Sequence, residues 1–117
     1  MSVSIVGGTV QASAALAFNA QTGTTYTLVS ADADNKLVTM SNASAITLTV
    51  PPSVFTAGQQ INVASIGAGL TTFAQGAGVT ITSTGATSSA PKLRAQQSAC
   101  TVICTASNTF LIVGDLS

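Results

Sequence analysis

Ala45-Ile46-Thr47-Leu48-Thr49-Val50-Pro51-Pro52 sets three aliphatic side chains, Ile46, Leu48 and Val50, in alternation with Thr47 and Thr49, and then stops the pattern with two prolines. Successive side chains of a strand point to opposite faces, so the aliphatics meet one core while the threonines face water or a neighbouring subunit. Pro51 and Pro52 remove two ladder donors and fix φ, which ends the strand and opens a turn.

The same grammar extends in both directions. Upstream, the turn Gln21-Thr22-Gly23 leads into Thr24-Thr25-Tyr26-Thr27-Leu28-Val29, whose β-branched and aromatic residues favour a strand, and Ser30 to Asn35 breaks it with turn formers. Lys36-Leu37-Val38-Thr39-Met40 follows, then a turn at Ser41 to Ser44. Downstream, Val54 and Phe55 fold back onto the core from a loop, and Gly58 reopens the ladder into Gln59 to Ile66. The apolar phase changes between Val63 and Ile66, as a bulge requires. Glycine-spaced runs at Leu70 to Phe73 and Val79 to Thr82 come next, then an exposed loop over residues 83–91. The last strands are Lys92 to Ala95, Thr101 to Thr105 and Thr109 to Val113; the last has no polar alternation and is expected to be buried on both faces. About eight or nine short strands at this spacing predict an all-β fold, an antiparallel β-sandwich or barrel of jelly-roll type with an N-terminal arm.

The chain has 117 residues, a length suited to one domain that buries roughly two thirds of its unfolded surface. Only 5% of it is charged, against about 25% in ordinary domains, with three cations, three anions and no His. So few ionised groups give little self-repulsion, which predicts association with other subunits. Met1-Ser2-Val3-Ser4 lacks the basic start of a secretory signal, and no apolar run approaches the roughly 20 residues of a membrane span. Synthesis in a cytoplasm and no membrane partner are expected.

Residues 1–20 break the pattern. Val3 and Ile5 precede Gly7-Gly8, and Ala12 to Phe18 has neither a charged helix face nor clean alternation. Two readings stand: an anchoring arm with partner-binding residues Val3, Ile5, Leu16 and Phe18, or a first strand packed on the domain formed by residues 21–117. An arm of this kind adds to an exposed sheet edge by strand addition.

No constellation for catalysis is present. Nucleophilic chemistry needs a base beside the nucleophile, and the chain has neither His nor Glu, so no catalytic residue is assigned and no enzyme is expected. Asp32 and Asp34 offer too few oxygens for Ca²⁺, which takes six to eight, so no metal is assigned. No cofactor is expected either, since Gly67-Ala68-Gly69 and Gly76-Ala77-Gly78 lack the following Lys-Ser/Thr of a phosphate loop. Lys36, Lys92 and Arg94 are too few for nucleic-acid binding, and a surface link from Lys92 or Arg94 to an aspartate is expected instead. If Cys100 to Cys104 is extended, the two Cα atoms lie about 13 Å apart, beyond the roughly 7 Å limit for a disulfide, so both thiols are expected free.

The order of these segments resembles a β-module of tailed-bacteriophage virion proteins, found in head decoration (cement) proteins, head fibres and tail fibres. The resemblance is carried by Gln21 to Leu28, Leu37 to Ser44, the Ile46 to Pro52 strand, Gly58 to Val63, Gly76 to Ile81, Lys92 to Gln96 and Val113-Gly114-Asp115-Leu116. It implies a structural role and a homotrimer, and supplies no catalytic residue. A module that begins some twenty residues after Met1 suits a decoration protein on the capsid exterior, with the major capsid protein as partner. The alternative is a tail-fibre or head-fibre module binding a host receptor or glycan. Glycan binding calls for exposed aromatic platforms, and Tyr26, Phe18, Phe55, Phe73 and Phe110 lie mostly in core-like contexts, which favours the shell role.

Overall fold

The computed structural model describes residues 4–6, 9–11, 15–83 and 90–117, the first two segments by their backbone. Its strands are β1 (Ser4–Val6), β2 (Thr9–Gln11), β3 (Ala17–Gln21), β4 (Thr25–Thr27), β5 (Lys36–Met40), β6 (Ile46–Val50), β7 (Gln60–Ser65), β8 (Thr71–Gln75), β9 (Thr80–Ser83), β10 (Ser98–Ala106) and β11 (Thr109–Gly114). A short 3₁₀ turn, Ser30–Ala33, lies between β4 and β5. β1 and β2 form a two-stranded antiparallel sheet.

The expected strands are found except Lys92 to Ala95, which makes only isolated bridges at Lys92 and Leu93, but the expected architecture is not. The chain is a β-solenoid of about three turns with mixed sheets, and the antiparallel sandwich or barrel is overturned. β3, β5 and β7 stack in parallel, as do β4, β6 and β8 on the opposite wall. Leu37 lies beside Asn62, and Ile46 beside Thr71, both 25 residues along the chain. Each coil therefore crosses from one wall to the other and returns on top of the coil before it. The reason lies in the connections. Hairpin turns would reverse each strand beside its predecessor, whereas the segments after β5 and β7 turn a corner and carry the chain to the other wall.

Those corners are held by main-chain hydrogen bonds between coils. Ser41 N–H donates to the Gln21 carbonyl at 2.9 Å, Ile66 N–H to Met40 at 2.9 Å and Gly69 N–H to Asn42 at 2.8 Å. The Asn42 side chain donates to the Thr22 carbonyl below at 2.8 Å and accepts from Ser44 N–H at 2.8 Å. A Cβ on Gly69 would overlap the Ser44 carbonyl, and one on Gly67 would lie 2.6 Å from the Asn42 nitrogen. Only glycine permits so close an approach of two backbones.

The stack ends at β7. The antiparallel pair β10–β11 is laid against it, and β9 closes the far side in parallel with β11, giving a six-stranded sheet in the order β3-β5-β7-β10-β11-β9. Lys92 and Leu93 bridge to Thr72 and Leu116, covering the free side of β8. Between the walls lie Val38, Met40, Ile46, Leu48, Val50, Ile61, Val63, Phe73, Leu93, Val102, Phe110 and Ile112, all at most 1% exposed. Phe55 is buried and meets Phe110 edge to face, with ring centres 6.0 Å apart. The loop after the prolines does fold back.

Three local expectations change. β11 alternates after all, with Phe110 and Ile112 buried and Val113 exposed, because only its inner face meets the opposite wall. The register of β7 is unbroken; the bulge lies in β10, between Cys104 and Ala106. The exposed loop expected at 83–91 falls mostly on residues 84–89, outside the described residues, while Pro91 is buried and its carbonyl accepts from Phe73 N–H at 2.9 Å.

Gly69→Ala is expected to cost roughly 3 kcal/mol or more, at or beyond the upper end for overpacking, because the overlapping atom is backbone. Gly23→Ala, whose added methyl would find its nearest neighbour at 3.6 Å, is expected to melt close to the parent. Paired thermal or urea denaturation measures both.

Candidate functional site

The interior changes character along the solenoid axis. Inward positions of the second and third coils carry Val38 and Val63, and on the other wall Leu48 and Phe73; in register beneath them the first coil carries Asn19 and Tyr26. These polar residues meet a carboxylate sent inward by the 3₁₀ turn. Asp32 is 1% exposed. Its Oδ2 accepts from Tyr26 Oη at 2.7 Å and from Val29 N–H at 3.0 Å, and its Oδ1 accepts from Asn19 Nδ2 at 2.8 Å. Asn19 Nδ2 also donates to Tyr26 Oη at 2.8 Å, and Gln21 Nε2 donates to Asn19 Oδ1 at 2.8 Å. A buried charge is tolerable only when its lone pairs are occupied in this way. The Asp32–Asp34 pair is thereby split: Asp32 turns inward while Asp34 is exposed. Among the described residues, no three Cys, Asp, Glu or His side chains come together as metal ligands.

Burial, reinforced by the hydrogen bond and charge of Asp32, raises the Tyr26 phenol to about 12. Burial likewise raises Cys100 to about 12 and pushes Cys104 upward. Both thiols lie on β10, four residues apart, buried and free. A protonated, buried thiol is a poor nucleophile. Among the described residues the one ion pair is at the C-terminus, where Arg94 grips Asp115 through two bonds of 2.7 and 2.9 Å. Ser98 Oγ donates to the same carboxylate at 2.7 Å. These donors hold the Asp115 carboxyl below its usual range. This is the surface link anticipated for Lys92 or Arg94.

The outer face of the six-stranded sheet is of another kind. One row crosses five strands, Phe18, Leu37, Asn62, Thr101 and Val113, each beside the next. Thr101 Oγ1 donates to Asn62 Oδ1 at 2.9 Å, satisfying the polar pair in its middle. Phe18 is 72% exposed, Leu16 42% and Val113 39%. Leu16, Leu37, Asn62, Ala99, Cys100, Thr101, Val113 and Gly114 line an open depression of about 430 Å³. Of the partner-binding residues expected from sequence, Phe18 and Leu16 therefore come together on this face. Phe18 lies on β3, an edge strand of the six-stranded sheet. Ile5 lies on β1, paired with Val10, and Val3 lies outside the described residues. Sequence reasoning passed over Leu37, Asn62 and Val113. Their signal was positional, since each has the parity opposite to a core residue of its own strand.

No described helix is long and apolar enough to cross a membrane. Comparison of the chain with protein-family models, curated proteins and solved structures finds no match in any of the three.

Two outcomes are expected at the polar cluster. Asp32→Ala strands donors from Asn19, Tyr26 and Val29, at roughly 1–3 kcal/mol for each left unsatisfied, and should lower stability by about 3–5 kcal/mol; Asp34→Ala should change it little. In alkali, the folded chain keeps the Tyr26 proton that the unfolded chain releases near the ordinary phenol value of 10.0. The folded state then binds more protons, so this contribution is whole below about pH 10 and is lost as pH rises toward 12. Phenolate absorbance follows it directly, Tyr26 being the single tyrosine, and Tyr26→Phe should make the loss of stability across that window shallower, leaving the part that the raised Cys100 and Cys104 thiols contribute in the same direction.

Proposed function

We propose that the chain is a structural virion protein of a tailed bacteriophage, a capsid decoration (cement) protein that binds the outer capsid surface as a homotrimer and stabilises the shell. The observation that carries this reading is the placement of charge. The chain has only three cations and three anions, and all six avoid the lining of the outer-face depression. Asp32 is buried between the walls, Asp34 and Lys36 flank the turn before β5, Lys92 and Arg94 run beside β8, and Asp115 is held by Arg94 and Ser98. What remains on the sheet face is Thr, Asn, Ala and exposed aliphatic and aromatic side chains, a surface fitted to adhesion without ion pairing. The resemblance of the segment order to phage virion modules supplies the rest, with the major capsid protein as partner and neither nucleic acid nor membrane.

Exposed ion pairs contribute only about 0–1 kcal/mol each, so attachment through such a face depends little on salt. Purified chain mixed with undecorated heads should co-sediment equally at low and molar salt, and light scattering of the free chain should give a trimer at micromolar concentration. Stripping by salt, or a monodisperse monomer, contradicts the reading. Binding to host envelopes in place of heads would assign the chain to a fibre.

A further inference from the structure

The wall formed by β4, β6 and β8 is open at the first coil. Thr47 N–H donates to the Thr24 carbonyl at 2.9 Å, and Leu28 N–H donates to the Thr49 carbonyl at 3.1 Å. Along a strand the backbone groups point alternately to one side and the other, so those of Thr25 and Thr27 point away from β6. No other described strand pairs with β4, and both threonines are exposed. An unpaired edge of this kind is a template for a further strand.

The chain's own first strand has the spacing to fill it. Tyr26 of β4 stands 21 residues after Ile5 of β1, and its neighbour on the next coil, Leu48, stands 22 residues after Tyr26. The connections match as well: ten residues, 7–16, lead from β1 to β3, against eight, 28–35, from β4 to β5 and nine, 51–59, from β6 to β7. A β1 laid beneath β4 therefore crosses to β3 on the opposite wall by the same path that β4 and β6 take to β5 and β7. The alternation agrees too. Ile5 enters the inner column of Tyr26, Leu48 and Phe73, and Ser4 enters the outer column of Thr25, Thr47 and Thr72. In the structure β1 pairs instead with β2, in a sheet of two strands that joins neither wall. Two strands alone are marginal in water, whereas a third strand and an apolar face give a stable sheet.

We propose that residues 4–6 exchange between two partners, β2 and the free edge of β4 in the same chain, and that the second arrangement adds half a coil to the solenoid. In it Ile5 N–H donates to the Thr25 carbonyl and Thr27 N–H donates to the Ile5 carbonyl. This repeats the pattern by which Thr47 N–H meets the Thr24 carbonyl and Leu28 N–H meets the Thr49 carbonyl. The arm and the packed first strand, both open from the sequence, are then two states of one segment. The hairpin leaves the β4 edge vacant for a strand from a partner, and the half coil shields it. The exchange is independent of where the chain attaches.

Cysteine pairs in the full chain trap the two states. Ser4→Cys with Thr25→Cys reports the half coil, since parallel neighbours lie about 4.8 Å apart, inside the roughly 4.4–6.8 Å range for a disulfide. Ser4→Cys with Gln11→Cys reports the hairpin, where the two residues are opposite each other. Both pairs are expected to link within one chain on mild oxidation, with peptide mapping locating the bonds and cooperative melting confirming each fold. A first pair that stays reduced overturns the exchange, and so does one that links only between chains, which assigns the β4 edge to a second copy. A second pair that stays reduced while the first links also overturns it, because the half coil is then a fixed part of the fold. Amide hydrogen exchange is the second measurement and decides the matter if a cysteine variant fails to fold. Thr27 N–H is expected to exchange at least twofold more slowly in the parent than in Ile5→Pro, which removes the donor to Thr25; equal rates overturn the proposal.

Discussion

Every coil of this chain must bring its backbone back within hydrogen-bonding distance of the coil before it, and the rest of the structure follows from that return. The donors and acceptors of β5 are satisfied on one side by β3 and on the other by β7. Where the wall ends and the chain turns, the need for partners does not end. Asn42 meets it at the second corner, with its side chain reaching down to Thr22 and its carbonyl receiving Gly69 from above. The glycines at 67 and 69 are a consequence of that spacing, since any side chain there would hold the coils apart.

Stacking also sets the chemistry of the two surfaces. Because parallel neighbours are in register, a residue type repeated from coil to coil becomes a column, and a change of type becomes a boundary. The inner columns run from Phe73 and Leu48 to Tyr26, and from Val63 and Val38 to Asn19, so the apolar core gives way to a hydrogen-bonded network in the first coil. Asp32 anchors that network and is fully committed within it. On the outer side the same register aligns Phe18, Leu37 and Asn62 into one uncharged row. A chain with six charges and one of them buried has little left with which to keep this face from other surfaces, and adhesion is what the face is suited to.

The strands were legible in the sequence because alternation is a local signal. Ile46 to Val50 is a strand of the structure residue for residue, Pro51 ends it, and Lys36 to Met40 is found as read. Partnership was not legible, because a strand that pairs with the next hairpin arm and one that pairs with the next coil show the same alternation. Gly67-Ala68-Gly69 reads in isolation as a spacer between two strands, and its meaning comes from Ser44 and Asn42, more than twenty residues away. Asn19 and Gln21 were the clue to a polar first coil, since they occupy the parity of Val38 and Met40. Within the candidate site, Leu16 and Phe18 stood out as apolar residues in a segment without a core pattern. Leu37 and Val113 did not, because an aliphatic residue in a strand is ordinarily read as core.

The in-register parallel stack is the claim on which the rest stands, and a cross-link between coils tests it. Thr47 on β6 and Thr72 on β8 are direct neighbours in that stack, and parallel neighbours lie about 4.8 Å apart, inside the roughly 4.4–6.8 Å range for a disulfide. The double variant Thr47→Cys with Thr72→Cys should cross-link on mild oxidation of the folded chain, with peptide mapping joining those two positions and leaving Cys100 and Cys104 as free thiols. A variant that stays reduced while folded, or that joins the new cysteines only after unfolding, would contradict the solenoid.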